Sequence, residues 1–211
     1  MAELHIADAA EREDLANFVG RAVRLSSSSI VRLRAEQGGT VGVWASTGFD
    51  VIVARSVRAA LHPTDTTVKA RELLTALAVL RTDTVNPGSA IDSAWRTALP
   101  PSTGFVHVDD VPASVLAELV DRGVTLAREH PGPDGGPSSA LLDQEVLTVC
   151  GAGEEVAVPL RCIFALSGMG FVGEGEQEPV RVRATRGWLR LDARYGSVLR
   201  RRHAQLPLLL S

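Results

Sequence analysis

Between residues 30 and 57 the chain alternates apolar and polar side chains in three short runs. Ile30-Val31-Arg32-Leu33-Arg34 is the first, Gly38-Gly39 breaks it, and Thr40 to Trp44 returns. Gly48 marks a second break, and Asp50 to Val57 is rich in β-branched residues. A period of two sends successive side chains to opposite faces, and glycine breaks this short permit reversal, so the stretch predicts an antiparallel meander. Such a sheet must bury its apolar face against something. The nearest candidate is a helix over residues 8–25. Leu15, Phe18, Val19 and Ala22 form one stripe, Asp8 is placed to cap it, and Glu11 completes a capping box. Ser26 to Ser29 supply the turn between helix and meander.

The same order returns further along. Val106-His107-Val108-Asp109-Asp110 echoes Leu4-His5-Ile6-Ala7-Asp8, and residues 116–124 echo residues 15–23. Val146 to Val149 and Val156 to Leu160 then flank a Gly151–Gly153 turn, and alternating strands follow at Val180 to Arg183, Trp188 to Leu191 and Ser197 to Arg202. A second helix is expected over residues 66–81, with Ala70, Leu73, Leu74, Leu77 and Leu80 on one side. Cys162 to Phe171 reads as a short helix or a buried strand, Pro131 to Ser139 as a loop, and Gly173 to Pro179 as an acidic, mobile stretch. Asn86-Pro87-Gly88 and Pro100-Pro101-Ser102 interrupt every period, so residues 84–104 form a connector. It carries Ile91, Trp95 and Leu99, which predicts that it is docked, with Trp95 largely buried. The expected fold is therefore α+β: two related subdomains, 1–83 and 105–211, each a helix packed on an antiparallel sheet.

Of the 211 residues 45% are hydrophobic, a globular share that excludes disorder over the whole chain. Aromatics are only 4%, so the core must be built from aliphatic side chains. The spacing of Cys150 and Cys162 fits neither a zinc site nor a redox pair, and two buried, reduced thiols are expected. The start of the chain lacks a long apolar run and no window reaches about 18 apolar residues, so neither a signal peptide nor a membrane span is expected and the cytoplasm is the compartment inferred. Residues 206–211 form an apolar tail.

Three motifs invite chemistry. Gly168-Met169-Gly170-Phe171-Val172-Gly173 has the dinucleotide fingerprint, but Glu174, Glu176, Glu178 and Pro179 follow where a helix should receive phosphate. His107, Asp109 and Asp110 suggest a metal or acid–base cluster; the competing reading makes Asp8 and Asp110 helix N-caps and is preferred. Ser167 lacks the flanking glycines of a nucleophile elbow. No catalytic, cofactor-binding or metal-binding residue is assigned.

Charge layout carries more. The net charge is −3, yet residues 106–179 hold thirteen acids against three arginines, and residues 180–203 hold eight arginines against Asp192. Lys69 is the only lysine among 22 basic residues. Arg181 and Arg183 share a face, and with Arg190 and Arg194 they form a candidate surface for a partner protein or for nucleic-acid phosphates. The neighbouring carboxylates compete for the same guanidiniums, so these arginines are expected to face carboxylates or water.

The stretches Phe49-Asp50-Val51-Ile52-Val53, His107-Val108-Asp109-Asp110-Val111-Pro112, Leu141-Leu142-Asp143-Gln144 and Trp188 to Gly196 resemble a family of uncharacterised proteins of high-GC Gram-positive bacteria. The resemblance implies a bacterial cytosolic origin and no activity. The function expected is a non-enzymatic protein-interaction or self-associating protein. The alternatives are a nucleic-acid binder using the arginine ribbon, and an enzyme whose site is not legible in sequence.

Overall fold

An amphipathic helix and a half-polar sheet leave one apolar face each, and packing the two together organises the whole molecule. The computed structural model describes residues 2–79, 82–133, 135–173 and 178–202. The first half runs β1 (Glu3–His5), α1 (Ala9–Leu25), β2 (Ile30–Ala35), β3 (Thr40–Ser46), β4 (Ile52–Arg58), β5 (Ala60–His62), β6 (Asp65–Lys69), α2 (Ala70–Val79) and β7 (Thr84–Val85). The second runs β8 (Val106–Val111), α3 (Ala113–Glu129), α4 (Ser139–Leu142), β9 (Glu145–Gly151), β10 (Glu154–Pro159), α5 (Leu160–Gly168), β11 (Val180–Ala184), β12 (Trp188–Ala193) and β13 (Gly196–Arg201). The fold is α+β with related halves, each opening on a strand, a 17-residue helix and an antiparallel hairpin.

One antiparallel sheet of eight strands unites them, in the order β6-β2-β3-β4-β13-β12-β11-β8. The halves meet where Ile52, Val53 and Ala54 pair with Leu199, Val198 and Ser197. Residues paired across strands share a face. Val68, Val31, Ala45, Val53, Val198, Leu191 and Val182 form one such row, and all seven are buried in the main core. That face carries the helices, with α1 packed beside α2 and α3 beside α5. The adjacent row, Thr67, Arg32, Trp44, Ala54, Ser197, Asp192, Arg181 and Asp110, crosses all eight strands on the other face. Alternation alone thus separates an aliphatic inner face from a polar outer one.

Asp8 caps α1, its Oδ1 accepting from the Ala10 N–H at 2.8 Å. Glu11 does not complete a capping box and instead accepts from Arg58 Nε at 3.1 Å. Asp8→Ala should cost about 0.5–2 kcal/mol in denaturant unfolding. Asp110 is not a cap: the strand continues to Val111, Pro112 stands at the helix start, and the Asp110 carboxylate turns outward to Arg181 and His107. The helix expected from residue 66 begins at Ala70, because Thr66, Thr67 and Val68 are β-branched and pair with β2. The ambiguous run after residue 159 is the helix α5. Cys150 is exposed, contrary to the expectation of two buried thiols; only Cys162 is buried.

The connector docks on the β6 edge. Ile91 N–H donates to Thr67 O at 2.7 Å, and Asp92 Oδ1 accepts from Thr67 N–H at 2.6 Å. Trp95 is half-buried rather than fully covered. No helix among the described residues is long and apolar enough to cross a membrane.

Candidate functional site

The outer sheet face is a lattice of paired charges. Arg32 binds Asp65 with two hydrogen bonds, at 2.8 and 2.7 Å. Arg181 Nε lies 3.1 Å from Asp110 Oδ1, which also receives His107 Nε2 at 3.0 Å. Arg190 Nε donates to Asp192 Oδ1 at 2.6 Å, and Arg183 lies 3.6 Å from the same carboxylate's other oxygen. Arg194 donates to Glu178. The structure brings Arg181, Arg183 and Arg190 together on β11 and β12 and leaves Arg194 beyond the end of β12, each facing a carboxylate. The hydrogen bond from Arg181 holds the Asp110 carboxyl below its ordinary range, and the one that Arg194 donates to Glu178 holds the Arg194 guanidinium above its own. Carboxylates so close to these guanidiniums offset their positive charge and compete with an incoming phosphate.

One apolar interruption breaks the lattice, and it lies where the halves join. Ile52 and Ala54 of β4, Trp188 of β12 and Leu199 of β13 form a second buried cluster, against which Trp44, Trp95 and Phe105 pack. The three tryptophans of the chain therefore meet here, although 51 and 93 residues separate them in sequence (44 to 95, 95 to 188). The Trp44 and Trp95 indole N–H groups are buried without an acceptor. Beside the cluster opens a groove of about 380 Å³, lined among others by Ile52, Trp95, Arg96, Trp188, Leu199 and Arg201. Arg201 stacks over the Trp188 ring at 5.6 Å, and Arg190 over Phe105 at 5.7 Å. Arg96 and Arg201 are exposed and have no carboxylate partner among the described residues. The exposed Asp50 carboxylate also lines the groove, near Arg161, so it is the side of Arg96 and Arg201 that suits an apolar segment carrying negative charge. Sequence reasoning missed this site; its one signal was a tryptophan inside a connector.

A larger hollow of about 890 Å³ lies between α2 and the connector; its carboxylates serve the fold, while the buried Thr66 hydroxyl in its wall has no hydrogen-bond partner. Glu72 accepts from Ser89 N–H at 3.0 Å and pairs with Lys69, and Asp92 holds Thr67. The glycine fingerprint falls at the carboxyl end of α5, where carbonyls converge; Arg21 Nη1 donates to Gly170 O at 2.8 Å. A helix C-terminus repels phosphate. No group of three metal-binding side chains occurs among the described residues. Burial pushes the Cys162 thiol up to about 12, with Arg200 and Arg161 opposing it only in part. At pH 8 a disulfide reagent should titrate one thiol, Cys150, in the native protein and two after denaturation. Two reactive thiols in the native state would contradict the packing of α5.

Two family models match the chain: "Domain of unknown function (DUF8010)" over residues 1–97 and "Domain of unknown function (DUF8185)" over residues 100–205. No curated protein matches. Solved structures do. The DNA polymerase sliding clamp from Bacillus subtilis is 14% identical over 98% of this chain and 66% of its own, with a TM-score of 0.60. The sliding clamp (DNA polymerase III subunit beta) from Bartonella birtlesii, solved bound to griselimycin, is 15% identical over 95% and 65%, at 0.59. The Caulobacter crescentus clamp is 16% identical over 95% and 65%, at 0.57. The chain thus spans just under two-thirds of these clamps, and at such identities the likeness is one of fold.

Proposed function

The chain belongs to the DUF8185 family, and on its clamp fold we propose that it is a non-enzymatic, cytosolic scaffold that holds partner proteins through the groove at the junction of its halves. The observation that carries this reading is that Trp95 and Trp188 line the groove, backed by the apolar cluster on which Trp44 and Phe105 also pack, on an otherwise charge-paired sheet face. Aromatic side chains in a desolvated pocket supply most of the affinity in protein interfaces. The partner expected is an extended segment with apolar side chains and a nearby carboxylate for Arg96 or Arg201. The two free cysteines suit a reducing compartment, and the sequence resemblance supports a bacterial host.

Nucleic acid is the less favoured partner. The four ribbon arginines already face carboxylates. The helices α1 to α5 carry seven acidic and seven basic residues, so the helical face offers no excess positive charge. In fluorescence anisotropy with mixed-sequence DNA and RNA at ~150 mM salt, no submicromolar binding is expected. Submicromolar binding that falls with salt and on Arg181→Ala plus Arg183→Ala would reverse the ranking.

The scaffold reading is tested by capture from a nuclease-treated host extract. A partner retained by the native chain and lost with Thr97→Glu, which puts a carboxylate at an exposed rim position where it repels the partner's own and competes for Arg96, is the expected result. A partner retained equally by both chains would place the contact elsewhere.

A further inference from the structure

We propose that the hollow between α2 and the connector is a second binding site, for a small uncharged molecule with an apolar body and a carbonyl group, such as an amide or an ester. Thr66, in the wall of the hollow, is the first support. It is 1% exposed, and its hydroxyl is buried without a hydrogen-bond partner. Strand register sets it on the inner face of the sheet, in a row with Leu33 and Val43, both buried in the main core. Valine has nearly the same shape and would complete that aliphatic row. A hydroxyl there is destabilising while unpaired, because it gives up water and gains no partner. The hydroxyl can turn between staggered positions about Cα–Cβ, so a carbonyl seated in the hollow can accept its hydrogen bond. Nothing here depends on the groove, or on the apolar tail 206–211, which lies outside the described residues.

The remaining lining sets the chemistry of the ligand. Ala76, Val79 and Ala90 form apolar wall, and Val79, at 72%, is the most exposed large apolar side chain among the described residues. An apolar body in the hollow would cover it. Two more donors stand in the same wall. Arg71 donates only its Nε, to Ser27 O at 3.3 Å, and forms no ion pair among the described residues. Asn86 uses its Oδ1 to accept from Gly88 N–H at 2.9 Å, which leaves its amide N–H groups uncommitted. The carboxylates are engaged: Glu72 holds Ser89 and Lys69, and Asp92 holds Thr67. Free donors call for an acceptor, while two carboxylates in the wall repel an anion. A neutral carbonyl meets both conditions. The volume of about 890 Å³ falls within the range of small-molecule sites.

The test is methyl NMR of the full chain, titrated at millimolar concentration with a panel of neutral amides and esters and with carboxylic acids of matching size. Members of the neutral panel should shift the Thr66, Ala76 and Val79 methyl signals saturably, and each acid should bind more weakly than its amide. Thr66→Val should weaken that binding about tenfold, the worth of one hydrogen bond, and leave the unfolding midpoint unchanged or higher. Ala90→Trp, which puts a bulky ring at an exposed position of the wall, should block binding with no loss of stability. Methyl signals that no amide or ester moves, or acids that bind as well as their amides, would overturn the proposal. So would a lowered midpoint in Thr66→Val, which would show that the hydroxyl already has a partner within the fold.

Discussion

Arg161→Ala should destabilise the protein by about 2–3 kcal/mol in chemical denaturation: the Phe49 carbonyl loses its donor and buried packing is lost, while Asp143 is half exposed and keeps Arg200. Arg161 is 6% exposed at the start of α5. Its Nε donates to Asp143 Oδ1 at 3.0 Å, its Nη2 lies 2.7 Å from the same oxygen, and its Nη1 donates to Phe49 O at 2.7 Å. Phe49 belongs to the first half and Asp143 to the second, so one guanidinium ties the halves together beside the groove. Alanine leaves the Phe49 carbonyl without its donor and opens a void. Lysine should rescue little, because an ammonium cannot satisfy three directions in one plane. Partial burial alone would raise the Asp143 carboxyl, but hydrogen bonds and charge from Arg200 and Arg161 outweigh it and hold the group below its ordinary value. The stabilisation is therefore complete above the unfolded carboxylate value, about 3.9, and is lost as the pH falls through the lower folded one. In the Arg161→Ala chain this acid-dependent loss should be smaller.

Phe171→Ala should cost more, about 3–5 kcal/mol. The ring is 2% exposed and stacks on Phe18 of α1 with centroids 6.1 Å apart. It also fills the space beside Gly196, where an added Cβ would stand 2.6 Å from the ring and 2.9 Å from Ala54 O. Gly196→Ala should thus destabilise through both contacts. Combined with Phe171→Ala it should cost less than the sum, since one clash is gone and the backbone one remains. Strict additivity in the double-mutant cycle would show that the ring and Gly196 do not touch.

The local parts of this architecture are legible in sequence, and the long-range parts are not. The β2–β3–β4 meander and α1 follow from patterns spanning a few residues. Asp8 behaves as its position suggests, whereas Asp110, at the corresponding position, does not, because the strand runs on through it to Val111 and the helix starts only after Pro112. The β6 strand is hidden in a helical period because Thr66 falls four residues before Ala70 and seven before Leu73, in register with the stripe of α2. The junction of β4 with β13 joins residues more than 140 apart in number, and no local pattern encodes such a pairing. For the same reason the tryptophan cluster is invisible, since each member alone reads as an ordinary strand or connector residue. The arginine ribbon is visible as a row, while its carboxylate partners on β8 and β12 emerge only from register.

The central claim is that the junction groove is a protein-binding site. Its most direct test places a photo-crosslinking amino acid at Thr97, irradiates living host cells, and identifies adducts by mass spectrometry after nuclease treatment. The account predicts adducts to a protein through an apolar segment adjoining a carboxylate, and none from the same amino acid placed at Ser56, on the same sheet face away from the groove. Adducts to nucleic acid alone, or equal yields from both positions, would contradict it.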